Sequence, residues 1–540
     1  MGHMRRVGAI GAAVAVTSAG LAWLPLPAVA VAATANTLVS VDTTGTAGDD
    51  FSGNPAISGN GRIVAFQSAA PDLVAGDGNG THDIFVRDMA ANTTRRVSVD
   101  TGGGDPNGPS LFPAVSADGT FVAFISSASD LVAGDNNGRD DVFLRNLTTN
   151  STIRITAGHF DNDATRLVHS VSVSGNGRLV AYDLSVGSTT SPTFRAFVRD
   201  TVANTTVRVS VFPNGSPASG FGPVISADGR FVAFSSTDAL IASDDNGIAD
   251  VYRRDLVERA SKVATLNVDH AFTTTGEPFG SSLGISGDGR WVTFMSYASD
   301  LVLGDGNGEP DIFRRDLTAN ETVRVNVTSA GAEVVGFGNF HTVHTGVSNS
   351  GRLVVFSSDQ SGLTPNDQNG QPDVFLRDVD AGTTRLVSVA STGNSPSGFS
   401  YTPAISGDGK FVVFGSDGNG LASNDTNDGI DDVFRQPVTT IRLCDGKPAT
   451  IVGTDGPETI TGTPGDDVIV ALGGADTVNG QGGNDSICGG LGKDVLSGGE
   501  GNDTLRGGDG PDNLTGGPGT DTCVGDADFD VFASCETAVQ

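Results

Sequence analysis

The sequence predicts an all-β protein in which a seven-bladed β-propeller is followed by a parallel β-roll. A serine, a short turn and an alternating strand recur seven times, at spacings of 52–62 residues. Farther along the chain, an aspartate returns every ninth residue from Asp467 to Asp521. No stretch carries sustained apolar residues at helical spacing, so we expect no helix in either part.

The first 33 residues have the pattern of a secretory signal peptide. The pair Arg5-Arg6 precedes an uncharged apolar run that ends in small residues, and these are the regions of such a peptide. We expect cleavage in the segment Ala30 to Ala35. The run is also long enough for a membrane anchor, but Pro25, Pro27 and the small-residue ending favour cleavage. The mature protein is then extracellular and has no membrane span.

The long repeats occupy residues 36–443. Segments such as Ser58–Phe66 and Ser226–Phe234 place Asn-Gly or Asp-Gly between apolar runs, which predicts a hairpin turn whose two central residues have positive φ. Two further strands follow in each unit, the first of them typified by Asp83–Asp88. Four short antiparallel strands per unit indicate a propeller, which hides its sheet edges by closing into a ring. The units begin at Ser58, Ser116, Ser174, Ser226, Ser286, Ser348 and Ser406.

These repeats resemble the TolB-like propeller family, whose signature is a Ser-Pro-Asp-Gly turn before a strand ending in Ile-Ala-Phe. Here alanine, glycine or asparagine replaces the proline, while the Pro-Ala-x-Ser lead-in is present at Pro55, Pro113 and Pro403. The resemblance implies the fold. It implies little about activity, because propellers serve as binders, scaffolds and enzymes alike.

The ends of the repeat region suggest how the ring closes. Thr37–Asp42 copies the fourth strand of a unit, although it precedes the first unit. The seventh unit has little room for a fourth strand of its own, and Pro437 has no N–H group to donate. We therefore predict that the N-terminal strand completes the seventh blade.

Six of the seven units carry an acidic loop with the pattern Asp-x-Asn-Gly-x-x-Asp between the second and third strands. Oxygen side chains around a glycine suit a compact calcium loop, but Asp and Asn also cap turns by bonding the backbone, and both interpretations stay open. The third unit, from Asp183 to Arg195, lacks the loop. The candidate ligands are Asp77, Asn79, Asp83; Asp135, Asn137, Asp141; Asp244, Asn246, Asp250; Asp305, Asn307, Asp311; Asp367, Asn369, Asp373; and, with one extra residue, Asp425, Asn427, Asp432.

The nine-residue repeat near the C-terminus predicts a metal-dependent roll. Glycine stands two places before each aspartate, and an aliphatic residue usually stands two places after it. The glycines allow tight turns and the carboxylates supply the hard oxygen ligands that calcium prefers. The candidate metal-site residues are Gly465, Asp467, Gly474, Asp476, Gly483, Asp485, Gly492, Asp494, Gly501, Asp503, Gly510, Asp512, Gly519 and Asp521; the inward-facing residues are Ile469, Val478, Ile487, Leu496, Leu505 and Leu514.

This segment resembles the repeats-in-toxin (RTX) nonapeptide, GGxGxDxUx, which forms a parallel β-helix around calcium. The glycine pair is complete at Gly489, Gly498, Gly507 and Gly516, but Ala471-Leu472 and Gly462-Thr463 depart from it. The first turns are therefore expected to bind weakly. The resemblance implies that each ion lies between loops two repeats apart. A glycine-rich linker, the alternative, would not retain the aliphatic position.

Charge and cysteine content give further expectations for residues 444–540. The chain has 63 acidic and 32 basic residues, a net charge of −31, which argues against nucleic acid or an anionic membrane as partner. We expect the acidic tail to fold only when metal neutralises it. Two disulfides, preferably Cys444 with Cys488 and Cys523 with Cys535, suit an oxidising exterior. Three pairings are open, and a zinc site is disfavoured because CxxC spacing is absent.

The functional prediction is a secreted, non-catalytic calcium-binding protein whose propeller is an interaction scaffold for a protein or glycan. Gly280–Gly284 fits GxSxG but precedes a hairpin rather than a helix. His341 and His344 lack the glutamate of a metalloprotease motif. One alternative is an extracellular propeller hydrolase or lyase acting on glycans or peptides. Another is a TolB-like envelope translocation partner.

Overall fold

The computed structural model describes residues 36–539, apart from 160–162, 164, 189–190, 268–282, 335–343, 428, 439–442, 446, 455 and 528. The predicted signal peptide lies outside the described residues. The described part is built from 41 strands and contains no helix, which confirms the all-β prediction. None of its segments is a helix that could cross a membrane.

Seven four-stranded antiparallel sheets form the blades of a propeller. Strand β1 spans Thr37–Leu38. Blade 1 has β2 (Ser52–Ile57), β3 (Ile63–Ser68), β4 (Asp83–Asp88) and β5 (Thr93–Arg96). Blade 2 has β6 (Ser110–Val115), β7 (Phe121–Ser126), β8 (Asp141–Asn146) and β9 (Ser151–Arg154). Blade 3 has β10 (Leu167–Val173), β11 (Leu179–Ser188), β12 (Ser191–Asp200) and β13 (Thr205–Arg208).

The other four blades repeat this order. Blade 4 has β14 (Phe221–Ile225), β15 (Phe231–Ser236), β16 (Asp250–Asp255) and β17 (Ala260–Val263). Blade 5 has β18 (Gly284–Ile285), β19 (Trp291–Ser296), β20 (Asp311–Asp316) and β21 (Glu321–Arg324). Blade 6 has β22 (Thr345–Val347), β23 (Leu353–Ser358), β24 (Asp373–Asp378) and β25 (Thr383–Leu386). Blade 7 has β26 (Ser400–Ile405), β27 (Phe411–Ser416), β28 (Asp432–Pro437) and, as its fourth strand, β1.

The N-terminal strand closes the ring, as predicted. Leu38 pairs with Phe434 in an antiparallel register, and the Val39 N–H donates to the Val433 carbonyl at 2.7 Å. Val39 also packs in one buried cluster with Val64 and Phe66 of blade 1. The last blade is thus held to the first by both backbone pairing and apolar packing.

The turn after the repeated serine differs from the predicted geometry. Gly61 has a φ of 71°, but Asn60 has no positive φ. The Gly61 N–H donates to the Ser58 carbonyl at 2.9 Å, so the two central residues are Gly59 and Asn60, and Gly61 follows them in the left-handed region. This is a type I turn with a glycine bulge. The serine recurs because its Oγ accepts the Ile63 N–H at 2.9 Å.

Stacked aromatic pairs in the second and third strands fill the blade cores. The Phe124 and Phe143 rings lie 5.9 Å apart, and both side chains are fully buried between blades 1 and 2. Replacing Phe124 with alanine is expected to reduce the free energy of unfolding by about 3–5 kcal/mol, because the ring leaves a cavity. Denaturant titration measures this loss. Leu303→Ala, at an exposed side chain, is the control, with a change within about 0.5 kcal/mol.

After the propeller, a hairpin of β29 (Leu443–Cys444) and β30 (Lys447–Pro448) precedes a parallel β-solenoid. One solenoid sheet contains β31 (Ile451–Val452), β33 (Val468–Gly473), β35 (Ser486–Leu491), β37 (Thr504–Asp509), β39 (Thr522–Ala527) and β41 (Thr537–Val539). The other contains β32 (Thr459–Thr461), β34 (Thr477–Asn479), β36 (Val495–Ser497), β38 (Asn513–Thr515) and β40 (Val531–Ala533).

Two nine-residue repeats make one turn of this roll. Ile469 pairs with Ile487, and Ile487 pairs with Leu505, each 18 residues farther on. On the other sheet Val478 pairs with Leu496 in the same manner. All five side chains are buried in one core, which confirms the inward aliphatic position.

Candidate calcium sites in the roll and the propeller loops

The roll brings its predicted aspartates together in two buried ladders. From Asp485 to Asp521, each carboxylate of the repeat accepts, through Oδ1, the backbone N–H of the aspartate 18 residues earlier. The Asp467 N–H donates to Asp485 Oδ1 and the Asp485 N–H donates to Asp503 Oδ1, both at 2.8 Å. The second ladder joins Asp476 to Asp494 at 2.9 Å. The RTX resemblance implies that each ion lies between loops two repeats apart, and the hydrogen bonds show that these loops are adjacent.

The second oxygen of these carboxylates has a different environment. Oδ2 is buried and has no hydrogen-bond partner in Asp476, Asp485, Asp494, Asp503 and Asp521. A buried charged oxygen without a partner is costly. Burial, followed by the charge of Asp503, raises the pKa of Asp485 to about 6. These oxygens have the chemistry of ligands for a hard cation.

Glycines of the repeat lie beside Oδ2 of most of the ladder aspartates. A Cβ placed on Gly462 would lie 2.9 Å from Asp467 Oδ2 and 2.6 Å from the Gly480 carbonyl oxygen. Equivalent points at Gly489 and Gly516 again lie beside an aspartate Oδ2 and a backbone carbonyl. Carboxylate and carbonyl oxygens are the ligand set of calcium, so the residues present fit this ion.

The first turn of the ladder supports the expectation of weaker binding there. Asp467 Oδ2 already accepts the Thr463 N–H at 2.6 Å and the Thr463 hydroxyl at 2.9 Å. Threonine stands where the complete repeats have the second glycine of the pair. Thr463 therefore donates hydrogen bonds to Asp467 Oδ2, whereas the equivalent Oδ2 atoms of Asp485 and Asp494 have no donor.

The ladders also extend past the predicted set. The Asp512 N–H donates to Asp530 Oδ1 at 2.8 Å, and the Asp521 N–H donates to Glu536 Oε2 at 2.7 Å. Asp530 keeps the nine-residue period, but the glycine two places earlier is missing. The period alone, without the glycine requirement, would have identified it.

Both disulfides have the preferred pairing. Cys444 is bonded to Cys488 and Cys523 to Cys535, with Cα–Cα distances of 5.7 and 6.0 Å. The first ties the hairpin before the roll to β35, and the second ties β39 to the segment after β40.

Removing the bonds by double alanine substitution is expected to destabilise the roll unequally. The bonds enclose sequence separations of 44 and 12 residues. The loop-entropy relation then gives losses of about 4 kcal/mol for Cys444–Cys488 and about 3 kcal/mol for Cys523–Cys535. Denaturant titration at saturating calcium measures both losses. Equal or reversed losses would contradict the loop-length argument.

In the propeller, a fourth-strand arginine from outside the loop motif contacts the carboxylates of three acidic loops. Arg96 Nη1 lies 3.0 Å from Asp77 Oδ1 and 3.5 Å from Asp83 Oδ2. In blade 2, Arg154 Nη1 lies 2.6 Å from Asp135 and 3.4 Å from Asp141. In each of these loops the candidate metal-ligating carboxylates face a guanidinium.

Blade 5 has the same arrangement with a further carboxylate. Arg324 Nη1 lies 3.3 Å from Asp305, 3.1 Å from Asp311 and 2.6 Å from Glu333. The three carboxylates lie within metal-binding distance of one another, but the arginine already occupies the space between them. The asparagines of these loops, Asn79, Asn137 and Asn307, donate to the third-strand aspartate.

Blades 4 and 6 have no such arginine. In blade 4 the Tyr252 hydroxyl donates to Asp244 Oδ2, and Asn246 Nδ2 donates to Asp250 Oδ2 at 3.1 Å. In blade 6 the Asn369 amide donates to the Pro396 carbonyl at 2.8 Å, and its interaction with Asp373 offsets only part of the effect of burial on the pKa of that carboxyl group. The loops therefore share a motif but differ in what offsets their charge.

Burial raises the pKa values of the third-strand aspartates to different degrees, and in blade 4 it raises the pKa of Asp250 to about 6. Burial, with the adjacent charge of Asp367, raises the pKa of Asp373 to about 8. Burial raises the pKa of Asp432 to about 7 in blade 7. Asp83, which faces Arg96, has a pKa of about 6. The negative charge is least compensated in blades 6 and 7.

A second concave site lies at the centre of the propeller. It is a cavity of about 470 Å³ lined by first-strand residues of several blades and by His344. Phe112 and Thr402 line it from β-bulges with φ of 53° and 46°, a region that L-residues rarely adopt and that often marks functional sites. Its described lining offers one carboxyl group, Asp183, whose pKa is raised by burial.

Only parts of the GxSxG match and of the His341 and His344 pair lie within the described residues. Within the GxSxG match, Gly284 begins β18, and the residues before Leu283 lie outside the described residues, as does His341. Gly284 therefore precedes a strand rather than the helix that a nucleophile elbow requires.

The fold and the ladders define a β-propeller protein with a calcium-binding β-solenoid. The family of RTX calcium-binding nonapeptide repeats matches residues 452–487, 461–496 and 497–532. RTX repeats bind calcium, and calcium is the cofactor of this roll.

Several solved structures are similar to the chain. TolB from Acinetobacter baumannii is 17% identical, with a TM-score of 0.31, over 51% of this chain and 54% of its own, so the chain spans about half of that protein. An oligogalacturonate lyase in complex with manganese is 12% identical, with a TM-score of 0.44, over 74% and 95% of the two chains. The propeller domain of the Trilobed protease from Pyrococcus furiosus is 12% identical, with a TM-score of 0.42, over 72% and 94%. No curated protein matches the chain.

Proposed function

We propose that the protein is secreted and that its roll folds on binding calcium outside the cell, while the propeller is a rigid scaffold for a protein or glycan ligand. The signal peptide comprises residues 1–33, the propeller residues 36–443 and the roll residues 444–540. The ligands in the roll are the predicted aspartates, with carbonyl oxygens of the adjoining glycine turns.

The observation that carries this proposal is the pair of carboxylate ladders. Each turn adds buried negative charge, and Oδ2 of residues such as Asp485, Asp494 and Asp503 has no donor. Repulsion between these carboxylates opposes folding without metal, so binding and folding are coupled. Extracellular calcium modules bind at about 0.1–1 mM, which keeps the roll unfolded at cytosolic calcium and folded outside.

Hydrogen exchange of the full chain tests the calcium dependence. In EDTA, we expect amides of residues 451–539 to exchange rapidly, and added calcium to protect them with a midpoint of about 0.1–1 mM. Blade 3, which has no acidic loop, is the internal control and keeps its protection in both conditions. Equal protection of the roll in EDTA and calcium would disprove the coupling.

Secretion has a separate test. We expect the protein recovered from the culture medium of an expressing bacterium to begin between residues 31 and 36, as read by N-terminal sequencing. Protein that stays with the membrane fraction and keeps its first residues would support the anchor alternative.

The central cavity supports the role of the propeller as a scaffold. Phe112, Phe194 and Phe221 give it aromatic surface, and aromatic rings contribute much of the energy of binding at recognition sites. A hydrolase that cleaves glycans generally uses two carboxyl groups, whereas the described lining supplies Asp183 alone. The binding interpretation is therefore preferred to that of a two-carboxylate glycan hydrolase.

A further inference from the structure

We propose that the acidic loop of blade 6 is a calcium site of the propeller itself, formed by the carboxylates of Asp367 and Asp373 with the Thr364 hydroxyl beside them, and that arginine replaces the ion in blades 1, 2 and 5. This goes beyond the calcium-dependent folding of the roll and does not depend on it.

Strand register identifies the residue that decides whether an acidic loop contains an arginine or can bind calcium. Arg96 pairs with Phe85, the aromatic residue two places after the third-strand aspartate. The equivalent pairs are Phe143 with Arg154 and Phe313 with Arg324. In blade 6 the same register pairs Phe375 with Leu386. Leucine cannot supply a cation, although the loop keeps the full motif.

The anchoring of the third-strand aspartate is the same in both kinds of blade. The Ser98 hydroxyl donates to Asp83 Oδ1 at 2.6 Å, and the Ser388 hydroxyl donates to Asp373 Oδ1 at 2.6 Å. In blade 1, Oδ2 is the atom that faces the arginine. With Oδ1 held in the same way, Asp373 Oδ2 is directed into the corresponding space of blade 6.

That space contains carboxylate oxygens without donors. Asp373 is fully buried and Asp367 is 8% exposed, yet Asp373 Oδ2 and Asp367 Oδ1 have no hydrogen-bond partner. Their charges interact across the loop. Two buried carboxylates that face each other without a cation are strongly unfavourable, and a divalent ion offsets both charges.

A nearby hydroxyl distinguishes blade 6 further. Thr364 stands three residues before Asp367, where blade 1 has Val74. Its carbonyl accepts the Asp367 N–H at 3.3 Å, and its Oγ1 is buried without a hydrogen-bond partner. An additional oxygen therefore lies beside the loop that lacks the arginine. The all-oxygen donor set favours calcium over softer metals.

Blade 7 follows the same rule. Leu38 occupies the position that pairs with the third-strand Phe434, and Asp432 Oδ2 is buried without a partner while Oδ1 accepts the Ser40 hydroxyl at 2.5 Å. Blade 4, where Val263 takes the position, uses the Tyr252 hydroxyl instead. The fourth-strand residue thus decides whether a loop has a built-in cation, and among the loops without one, blade 4 has the Tyr252 hydroxyl while blades 6 and 7 keep carboxylate oxygens without a partner.

Exchanging that residue between blades 5 and 6 tests the proposal in the full chain. In the wild type, we expect 10 mM calcium to slow hydrogen exchange of the blade 6 loop, residues 364–373, by about 10- to 100-fold, the factor for a dissociation constant of about 0.1–1 mM. Leu386→Arg is expected to abolish this response. Arg324→Leu is expected to create one in the blade 5 loop, while the blade 2 loop, which keeps Arg154, stays unresponsive in every variant.

Asp373→Asn keeps the side-chain shape and the acceptor for Ser388, so it removes the response even if Leu386→Arg misfolds. Magnesium at the same concentration is the ionic-strength control and is expected to give no protection; equal protection would overturn the assignment to calcium. No calcium-dependent protection of the blade 6 loop in the wild type would overturn the proposal. Peptides of the roll are read separately, so failure of either calcium site is seen without the other.

Discussion

Replacing Gly492 with alanine is expected to prevent calcium from folding the roll. Gly492 has a φ of 127°, which L-residues rarely adopt, and an added Cβ would overlap the Gly474 carbonyl oxygen one turn away. Both atoms are fixed by backbone pairing, because the Gly474 N–H donates to the Leu491 carbonyl at 2.9 Å. No side-chain rotation relieves this overlap, so adjacent turns must separate.

Calcium titration of the full-length variant, followed by hydrogen exchange of residues 451–539, measures this effect. We expect protection to be lost in the central turns at calcium concentrations that saturate the wild type. Gly482→Ala is the matched control, because the nearest atom to its Cβ would be the Glu500 carbonyl oxygen, 3.6 Å away. A Gly492→Ala protein that folded with unchanged calcium dependence would show that the turns are not stacked as described.

Replacing Val39 with aspartate is expected to open the propeller ring. Val39 is fully buried between blades 7 and 1. A carboxylate there would replace a side chain that packs among buried apolar residues, and an unpaired buried charge costs about 4 kcal/mol or more. Because β1 has only two residues in register with β28, it has little other pairing with which to resist displacement.

Limited proteolysis and hydrogen exchange distinguish ring opening from general unfolding. We expect protection to fall first in β28 and in the strands of blade 1, and the thermal midpoint to decrease. Val202→Asp, at a side chain that is 76% exposed, is the control and should shift stability by no more than about 0.5 kcal/mol. Loss of protection spread equally over all seven blades would argue that closure is not the weak point.

Much of the fold was evident in the sequence because repetition makes local signals redundant. Seven copies of the serine turn predict the blade number, and the misplaced copy at Thr37–Asp42 predicts ring closure, which Leu38 and Phe434 confirm. The inward residues of the roll followed from their nine-residue period. The turn type was wrong, because the Asn-Gly signal fits both a two-residue turn and a type I turn with a glycine bulge, and only φ separates them.

The state of the propeller loops could not be predicted from the motif alone. Asp77 and Asp367 stand in almost identical local sequences, yet one faces an arginine and the other does not. The deciding residues, Arg96 and Leu386, lie 19 positions farther on in each case, and strand pairing brings them to the loop. Aligning the fourth strands would have shown that leucine replaces arginine in blade 6. Only the strand register shows that this residue lies beside the acidic loop.

Closure through β1 also sets the order of events during synthesis. Leu38 leaves the ribosome before all of blade 1, and its partner Phe434 follows 396 residues later. At about 5–20 residues per second this interval is about 20–80 s. Throughout this interval, Val39 and the facing surface of blade 1 are not yet buried against blade 7. The nascent chain therefore exposes an apolar segment to which chaperones can bind until the last blade has folded.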